Sequence, residues 1–169
     1  MGSMGQQPYI NGSQYPLVAR ACAESVRGSV PLYVGVSDVS VRRVAERIDA
    51  LQEMAIDGVV ATVSYYYALS QKEIVYYYRK IADFSPYPLY LYDLPAISQV
   101  FLSSDTVLTL MNHPNIRGIK SANITMLRKV MRDPSFNQEF RIYFSGLDIM
   151  DVASSYGLSY MLDGMFVRL

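Results

Sequence analysis

Several residue types are scarce in this chain of 169 residues, and each scarcity excludes a class of protein. Cys22 is the only cysteine, so no disulfide can form within the chain; this suits a reducing compartment, and we expect a cytoplasmic protein. His113 is the only histidine, which argues against a multi-histidine metal site and against Ser–His catalysis. No window approaches ~18 uninterrupted apolar residues, so we expect no membrane span, and the N-terminus shows no signal-peptide pattern.

An excess of charge of one sign is also missing. Lys and Arg total 15, Asp and Glu also total 15, and the formal net charge is zero. Binding to a nucleic-acid backbone requires a basic surface, so we expect no nucleic-acid partner. The acidic residues are scattered singly, and we therefore predict no metal site. With 51% hydrophobic and 18% charged residues, the chain is too apolar to be disordered.

What the chain does contain is a regular alternation of short apolar runs and amphipathic stretches. The apolar runs predict strands that start near residues 31, 58, 88, 116, 140 and 160. The amphipathic stretches predict helices over 41–54, 71–83, 103–112, 123–132 and 147–156. Ser70 and Glu73 have the spacing of a capping box, which marks the start of one of these helices. Strict strand–helix alternation predicts repeated βαβ units and a parallel sheet in one α/β domain spanning 1–169.

Two architectures fit this alternation, an open doubly wound sheet and a (β/α)₈ TIM barrel. No glycine-rich phosphate-binding pattern follows any of the predicted strands, which argues against a dinucleotide site. Six strands are also too few to close a barrel of eight. In either architecture the ligands bind at the carboxyl ends of the strands, so functional residues are sought there.

Lysine is rare, with four residues, so each can be considered individually. Lys72, Lys80 and Lys129 fall in predicted helices beside other polar residues, and we expect them to be solvated. Lys120 instead ends an apolar strand, where poor hydration disfavours the ammonium and frees an amine that can form a Schiff base with a ketone. A salt bridge at the edge of a pocket is the alternative. Tyr92 ends the preceding strand, where a phenol can relay protons or simply pack.

Four motifs then follow one another along the chain: Ser64–Tyr67, Leu91–Pro95, Gly118–Lys120 and Ser145–Gly146. In this order and spacing they resemble the dihydrodipicolinate synthase / N-acetylneuraminate lyase family, and the resemblance runs from about Gly2 to Phe166. It implies a (β/α)₈ barrel whose lysine forms a Schiff base with pyruvate or another 2-keto acid. No organic cofactor or metal is implied.

The resemblance also implies catalytic roles for three residues. Lys120 resembles the Schiff-base lysine, and Tyr92 resembles the tyrosine that relays protons and orients the keto acid. Tyr66 resembles a tyrosine that, in several members, reaches the site of a neighbouring subunit. We therefore expect a homo-oligomer, either a dimer or a tetramer, with Tyr66 near a subunit interface. The expected partner is a small 2-keto acid.

Three further residues are candidates for substrate binding. Gly2–Gln6 resembles the family loop whose hydroxyl and backbone N–H groups hold the substrate carboxylate, which places Ser3 and Met4 in the site. The letters Met-Gly-Ser-Met also fit a remnant of cloning, so this assignment has an alternative. Gly146 is the third candidate and belongs to the last of the four motifs.

The sequence departs from the family pattern at several positions. Asp93 replaces the usual asparagine, and Ile97 stands where the dihydrodipicolinate synthases place an arginine that grips a second carboxylate. This argues against dihydrodipicolinate synthesis and favours a sugar acid such as 2-keto-3-deoxygluconate or N-acetylneuraminate. Ile149 and Ala122 replace residues that bind substrate hydroxyls, which weakens the neuraminate assignment.

The resemblance accounts for about six βα units of the eight. It implies that the first units, the last barrel helix and the usual helical extension are missing. One alternative is therefore a non-catalytic binding or structural relative that is inactive because it is short. Another is an open-sheet, flavodoxin-like binder of small molecules, which the missing phosphate loop makes the weakest of the three.

Overall fold

The structure, a computed structural model, describes residues 2–164. The strands are β1 (Tyr33–Gly35), β2 (Gly58–Ala61), β3 (Leu89–Asp93), β4 (Ile116–Ser121), β5 (Arg141–Phe144) and β6 (Tyr160–Met161). The helices are α1 (Tyr15–Val26), α2 (Val41–Asp49), α3 (Gln71–Phe84), α4 (Pro95–Ser98), α5 (Ser104–Met111), α6 (Ile124–Met131) and α7 (Met150–Ser155). Single turns of 3₁₀ helix span Gln7–Tyr9 and Leu147–Ile149. Phe166, where the resemblance ends, lies outside the described residues.

The six strands form one sheet in which every neighbouring pair is parallel. Their spatial order is the order of the chain, β1 to β6, with no reversal among the described strands. A doubly wound sheet reverses its strand order at a switch point, whereas a barrel adds each strand beside the last. The sheet is therefore the curled, incomplete part of a (β/α)₈ barrel, which confirms the predicted fold class.

The outer face of the sheet carries the main hydrophobic core. Leu91 of β3 pairs in register with Ala61 and Ile119, and all three side chains are fully buried beneath the helices. The helix α3 starts where the capping box predicts, since the Ser70 hydroxyl accepts from the Glu73 N–H while the Glu73 carboxylate accepts from the Ser70 N–H. Over the outer face, α2 packs beside α3, α3 beside α5 and α5 beside α6, in the order of the chain.

The inner face of the sheet is built from tyrosines. Tyr33 and Tyr90 pack edge to face with ring centroids 4.7 Å apart, and Tyr143 lies 6.0 Å from each of them. Gly118 makes room for this cluster, because a Cβ there would come within 2.8 Å of the Tyr90 ring and would also meet the Arg141 carbonyl. Near the amino ends of the strands, aromatic rings therefore occupy the space inside the curl.

Two predicted helices are shorter than the sequence pattern indicates. The helix α2 ends at Asp49 rather than near residue 54, yet Leu51 and Met54 are still buried. Tight turns carry the chain onward, and Glu53 adopts a left-handed conformation with φ of 65°. The apolar spacing indicates burial, and burial continues after the helix has ended. The predicted helix 147–156 is likewise a 3₁₀ turn followed by α7.

Within residues 2–164, no helix is both long enough and apolar enough to cross a membrane.

Candidate active site

A cavity of about 400 Å³ opens at the carboxyl ends of the strands. Ser3 and Met4 of the N-terminal segment line it together with Tyr92 of β3 and Lys120 of β4. A larger cleft, about 720 Å³, lies around Tyr90 near the amino ends of the strands. Because parallel α/β proteins bind their ligands at the carboxyl ends, we take the smaller cavity as the candidate site.

Lys120, Tyr92 and Ser3 form a continuous chain of polar groups. The Lys120 Nζ donates to the Tyr92 hydroxyl at 3.3 Å, and that hydroxyl lies 3.1 Å from the Ser3 Oγ. The strand register explains the first contact, since Tyr92 and Lys120 are direct partners in the β3–β4 ladder. Side chains opposite each other in a ladder point to the same face, and here that is the inner face. Three residues distant in sequence are thus brought within hydrogen-bond reach.

The next pair in the same register points the other way. Asp93 and Ser121 face the outer layer, where the Ser121 hydroxyl donates to the Asp93 carboxylate at 2.7 Å. The backbone N–H of Leu102 donates to the second carboxylate oxygen at 3.2 Å. Burial raises the pKa of Asp93 above its ordinary value, while the hydrogen bonds from Ser121 and Leu102 oppose that shift.

A buried glutamine anchors the N-terminal loop that brings Ser3 to the cavity. Gln7 is 2% exposed, and its side-chain amide donates to the backbone carbonyl of Ser37, just beyond β1, at 3.0 Å. The backbone N–H of Gln7 donates to the Gly2 carbonyl at 3.2 Å, and that of Gln6 donates to the Ser3 carbonyl at 3.1 Å. The loop is therefore packed onto the sheet as part of the folded chain.

Two of the predicted site residues lie outside this cavity. The Tyr66 side chain is 69% exposed and packs edge to face on Tyr67, with ring centroids 4.8 Å apart. Tyr65, its neighbour, lines the cavity instead. Gly146 follows β5, and a Cβ at this position would come within 2.8 Å of the Phe144 ring. The expected role of Tyr66 concerns a neighbouring subunit, so it stays a prediction.

Two polar residues of the cavity lining, Ser37 and Thr62, are not among the site residues that the sequence predicts. The Thr62 N–H donates to the Ser37 Oγ at 2.9 Å, and both residues contribute to the cavity wall. The Thr62 hydroxyl oxygen is buried without a hydrogen-bond partner among the described residues. The period-two alternation of β2 carries the signal, because Thr62 falls on the same face as Val60 once β2 and β3 are aligned.

Across residues 2–164, no three His, Cys, Asp or Glu side chains are grouped so that they could hold a metal ion. Two charged residues, Lys120 and Asp163, belong to the described lining of the cavity, and the Lys120 amine is the one that can attack a bound carbonyl. The geometry therefore offers an amine, a phenol and a hydroxyl, the groups needed for covalent chemistry at a carbonyl followed by proton transfer.

A parallel α/β sheet in chain order, with a cavity at the carboxyl ends of its strands, places the molecule among the barrel-type α/β proteins. Comparison with known proteins narrows this class. The sequence pattern of the Dihydrodipicolinate synthetase family matches residues 1–164, and the chain belongs to this family. The order of its motifs predicted this membership.

Individual relatives agree with this assignment. The chain is 30% identical over 141 residues to a 4-hydroxy-tetrahydrodipicolinate synthase of Gluconobacter oxydans, covering 81% of this chain and 48% of the relative. It is 29% identical over 134 residues to the synthase of Porphyromonas gingivalis, covering 78% and 45%. The chain therefore spans about half the length of the curated relatives it matches.

Solved structures show the same fold. The chain superposes on a dihydrodipicolinate synthase of Bacillus anthracis with a TM-score of 0.89 at 23% identity, covering 95% of this chain and 55% of that one. It superposes on a 2-keto 3-deoxygluconate aldolase of Picrophilus torridus with a TM-score of 0.85 at 23% identity, covering 97% and 59%. At this identity the likeness concerns the fold alone.

Proposed function

We propose that this chain carries the active centre of a Schiff-base aldolase or lyase that acts on 2-keto acids of the pyruvate type. The observation that carries the proposal is the chain of contacts from the Lys120 Nζ through the Tyr92 hydroxyl to the Ser3 Oγ in one cavity. Family membership supports it. The same residues suit covalent catalysis without an organic cofactor or a metal.

The proposed chemistry begins with attack of the Lys120 amine on the keto carbon. A C–N bond forms, the keto oxygen leaves as water, and the product is an imine. The bond that breaks lies one carbon beyond the carbon attached to the imine: the hydroxyl on the far carbon loses its proton, that carbon leaves as an aldehyde, and its bonding electron pair moves to the protonated imine to give an enamine. Protonation of the enamine and hydrolysis of the imine by water then release the shorter keto acid and the Lys120 amine, and the reverse path makes the carbon–carbon bond. Tyr92 lies where its hydroxyl can pass protons between the substrate and the Ser3 hydroxyl.

The substrate carboxylate would lie against the N-terminal loop. Ser3 and Met4 line the cavity next to Tyr92, and a hydroxyl and backbone N–H groups are suitable donors to a carboxylate. Gly146 follows β5 at the same end of the sheet, where its backbone could border the mouth of the site. These assignments of Ser3, Met4 and Gly146 are part of the proposal.

The wall of the cavity favours a substrate without a second carboxylate. Leu94 and Ile97 make one side of it apolar, and Lys120 is its one cation among the described lining residues. Ser37 and Tyr65 add hydroxyl-bearing side chains to the same lining, and such groups suit the hydroxyl groups of a substrate. We therefore propose a hydroxylated keto acid, of the sugar-acid kind, as the natural substrate class.

Reduction with borohydride in the presence of pyruvate tests the proposal. We expect a stable secondary amine on Lys120, located by mass analysis of the peptides, and no adduct in a folded Lys120→Ala variant. Lys80→Ala is the matched control, since Lys80 lies in α3, away from the cavity, and that variant should still be trapped. Pyruvate binding to a folded protein without any adduct would instead support the non-catalytic alternative.

We also propose that the chain forms a homo-oligomer in which Tyr66 reaches a neighbouring copy. The exposure of the Tyr66 and Tyr67 rings supports this proposal, because exposed aromatic pairs are typical of protein interfaces. Light scattering would give the oligomeric state. Mixing Lys120→Ala with Tyr66→Phe subunits should restore part of the activity that each variant lacks alone. Failure to restore it, in mixed oligomers that do form, would contradict a shared site.

A further inference from the structure

The strand residues that follow Tyr92 and Lys120 are joined by a buried hydrogen bond. Asp93 is 5% exposed and Ser121 is fully buried, and the Ser121 hydroxyl donates to the Asp93 Oδ2 at 2.7 Å. The Asn123 N–H donates to the same hydroxyl oxygen at 2.9 Å, which directs the hydroxyl proton towards the carboxylate. This contact lies directly behind the inner-face pair, on the outer side of the same two strand ends.

The other oxygen of Asp93 closes a loop that forms part of the cavity wall. The chain leaves β3 at Leu94, turns through α4 and returns at Leu102, whose N–H donates to the Asp93 Oδ1 at 3.2 Å. Leu94 and Ile97 of this loop line the cavity. The side-chain amide of Gln71 in α3 also donates to the Phe101 carbonyl at 2.8 Å. The C-terminal end of the loop is therefore held both by Asp93 and by Gln71.

We propose that Asp93 is a positioning residue, whose two carboxylate oxygens separately fix the strand ends that carry Lys120 and Tyr92 and the loop 94–102 that walls the cavity. This inference rests on the proposed function, because it describes the support of that same site. Asp93 does not line the cavity, so it acts through the residues it holds and not on the substrate.

The chemistry of the carboxylate explains why it suits this place. Leu102 and Ser121 both donate, so the position needs two acceptors, and an ionised carboxylate provides them. An asparagine has one acceptor oxygen, so its NH₂ group would instead donate to the Ser121 Oγ; the bond would run in the opposite direction and the buried Ser121 hydroxyl proton would lose its acceptor. None of the ion pairs among the described residues includes Asp93, and Tyr78 of α3 is a titratable neighbour on the outer side. The hydrogen bonds thus offset part of the cost of burial.

Because the two carboxylate oxygens of Asp93 hold different parts of the site, removing each contact should have a different effect on adduct formation. Ser121→Ala removes the bond to Oδ2 and leaves the Leu102 contact, so adduct formation with pyruvate should slow roughly tenfold with little change in the half-saturating pyruvate concentration. Asp93→Asn keeps the acceptor for Leu102 and reverses the bond to Ser121, so it should slow the reaction less than Ser121→Ala does. Asp93→Ala removes both bonds, so it should slow the reaction and also raise the half-saturating pyruvate concentration.

Hydrogen exchange reports the loop directly. The amide of Leu102 should lose protection in Asp93→Ala and keep it in Ser121→Ala, and Asp133→Asn, which removes an exposed charge beyond α6, should change neither rate nor exchange. If Asp93→Ala fails to fold, Asp93→Asn and Ser121→Ala are compared: both should keep the protection of Leu102, and Asp93→Asn should be the less slowed of the two. Wild-type rate and exchange in Asp93→Ala would overturn the inference, as would a loss of Leu102 protection in Ser121→Ala.

If the wild-type protein forms no adduct, the proposed function fails, and the exchange pattern alone decides whether Asp93 holds the loop.

Discussion

The inner face of the sheet differs between the carboxyl and the amino ends of its strands: polar contacts border a cavity at one end, and packed aromatic rings fill the other. At the carboxyl end, Lys120, Tyr92 and Ser3 contact one another through polar atoms and border an open cavity. At the amino end, Tyr33 and Tyr143 pack ring against ring, and their hydroxyls lie 3.2 Å apart. The same residue type, tyrosine, therefore supports chemistry at one end and fills space at the other, and its neighbours decide which.

The largest expected effect comes from the carboxyl end. Lys120→Met removes the amine but keeps an apolar stem of similar length, so the borohydride-trapped adduct should disappear completely. The free energy of unfolding in urea should change by no more than about 0.5 kcal/mol, because the side chain is only partly buried. A large loss of stability in this variant would show that the carboxyl end also holds the fold together.

At the amino end we expect the opposite pattern. Gly118→Ala would place a Cβ within 2.8 Å of the Tyr90 ring and against the Arg141 carbonyl, and backbone cannot move aside cheaply. The free energy of unfolding should fall by about 1–3 kcal/mol while the Lys120 adduct still forms.

Gly12→Ala is the matched control for that variant, since a Cβ there meets nothing within 4 Å. Loss of the adduct in Gly118→Ala, at a temperature where the variant is folded, would mean that the two ends of the inner face are coupled.

A smaller effect is expected from the hydroxyl pair of the tyrosine cluster. Tyr143→Phe removes the contact to Tyr33 but keeps the ring, so the free energy of unfolding should fall by about 0.5–1.5 kcal/mol. Tyr9→Phe is the control, because the Tyr9 side chain is 86% exposed. Equal stability of Tyr143→Phe and the unaltered protein in urea would show that ring packing alone holds the amino end.

The sequence predicts the fold well because barrels repeat one unit. Six apolar runs with amphipathic stretches between them predict the six strands and their parallel pairing. The inner face is less predictable. The strands look apolar throughout, as if both faces were equally covered, because tyrosine counts as apolar in such patterns. In β3 the leucines point to the helices, while Tyr90 and Tyr92 point inward and keep their hydroxyls accessible to partners.

The sequence predicts only those residues of the candidate site whose type stands out from the neighbouring residues in the chain. Lys120 and Tyr92 stand out because each is a polar group that follows an apolar run. Thr62 becomes significant only when β2 is aligned with β3, and sequence spacing does not fix that register. The contact between Asp93 and Leu102 depends on how a loop returns to its strand, which local patterns do not specify.

The smallest expected effect is the response of the amino end to alkaline pH. Burial raises the pKa of Tyr143 to about 12, and the neighbouring Tyr33 hydroxyl adds to the shift. Unfolded tyrosines ionise near a pKa of about 10, so between these values the folded state binds more protons and the free energy of unfolding falls as pH rises. Burial also raises the pKa of Tyr15, so other tyrosines contribute to the same loss of stability. The contribution of Tyr143 is therefore the difference between the unaltered protein and a variant that lacks its hydroxyl.

Urea unfolding of the unaltered protein and of Tyr143→Phe, at about pH 9 and about pH 11, gives that difference. Stability should fall in both, but less in Tyr143→Phe, because that variant has lost one of the groups that the folded state keeps protonated. An identical fall in the two proteins would mean that the Tyr143 hydroxyl is as well hydrated in the folded state as in the unfolded chain. The amino end would then resemble the open carboxyl end, and the contrast between the two would rest on Gly118 alone.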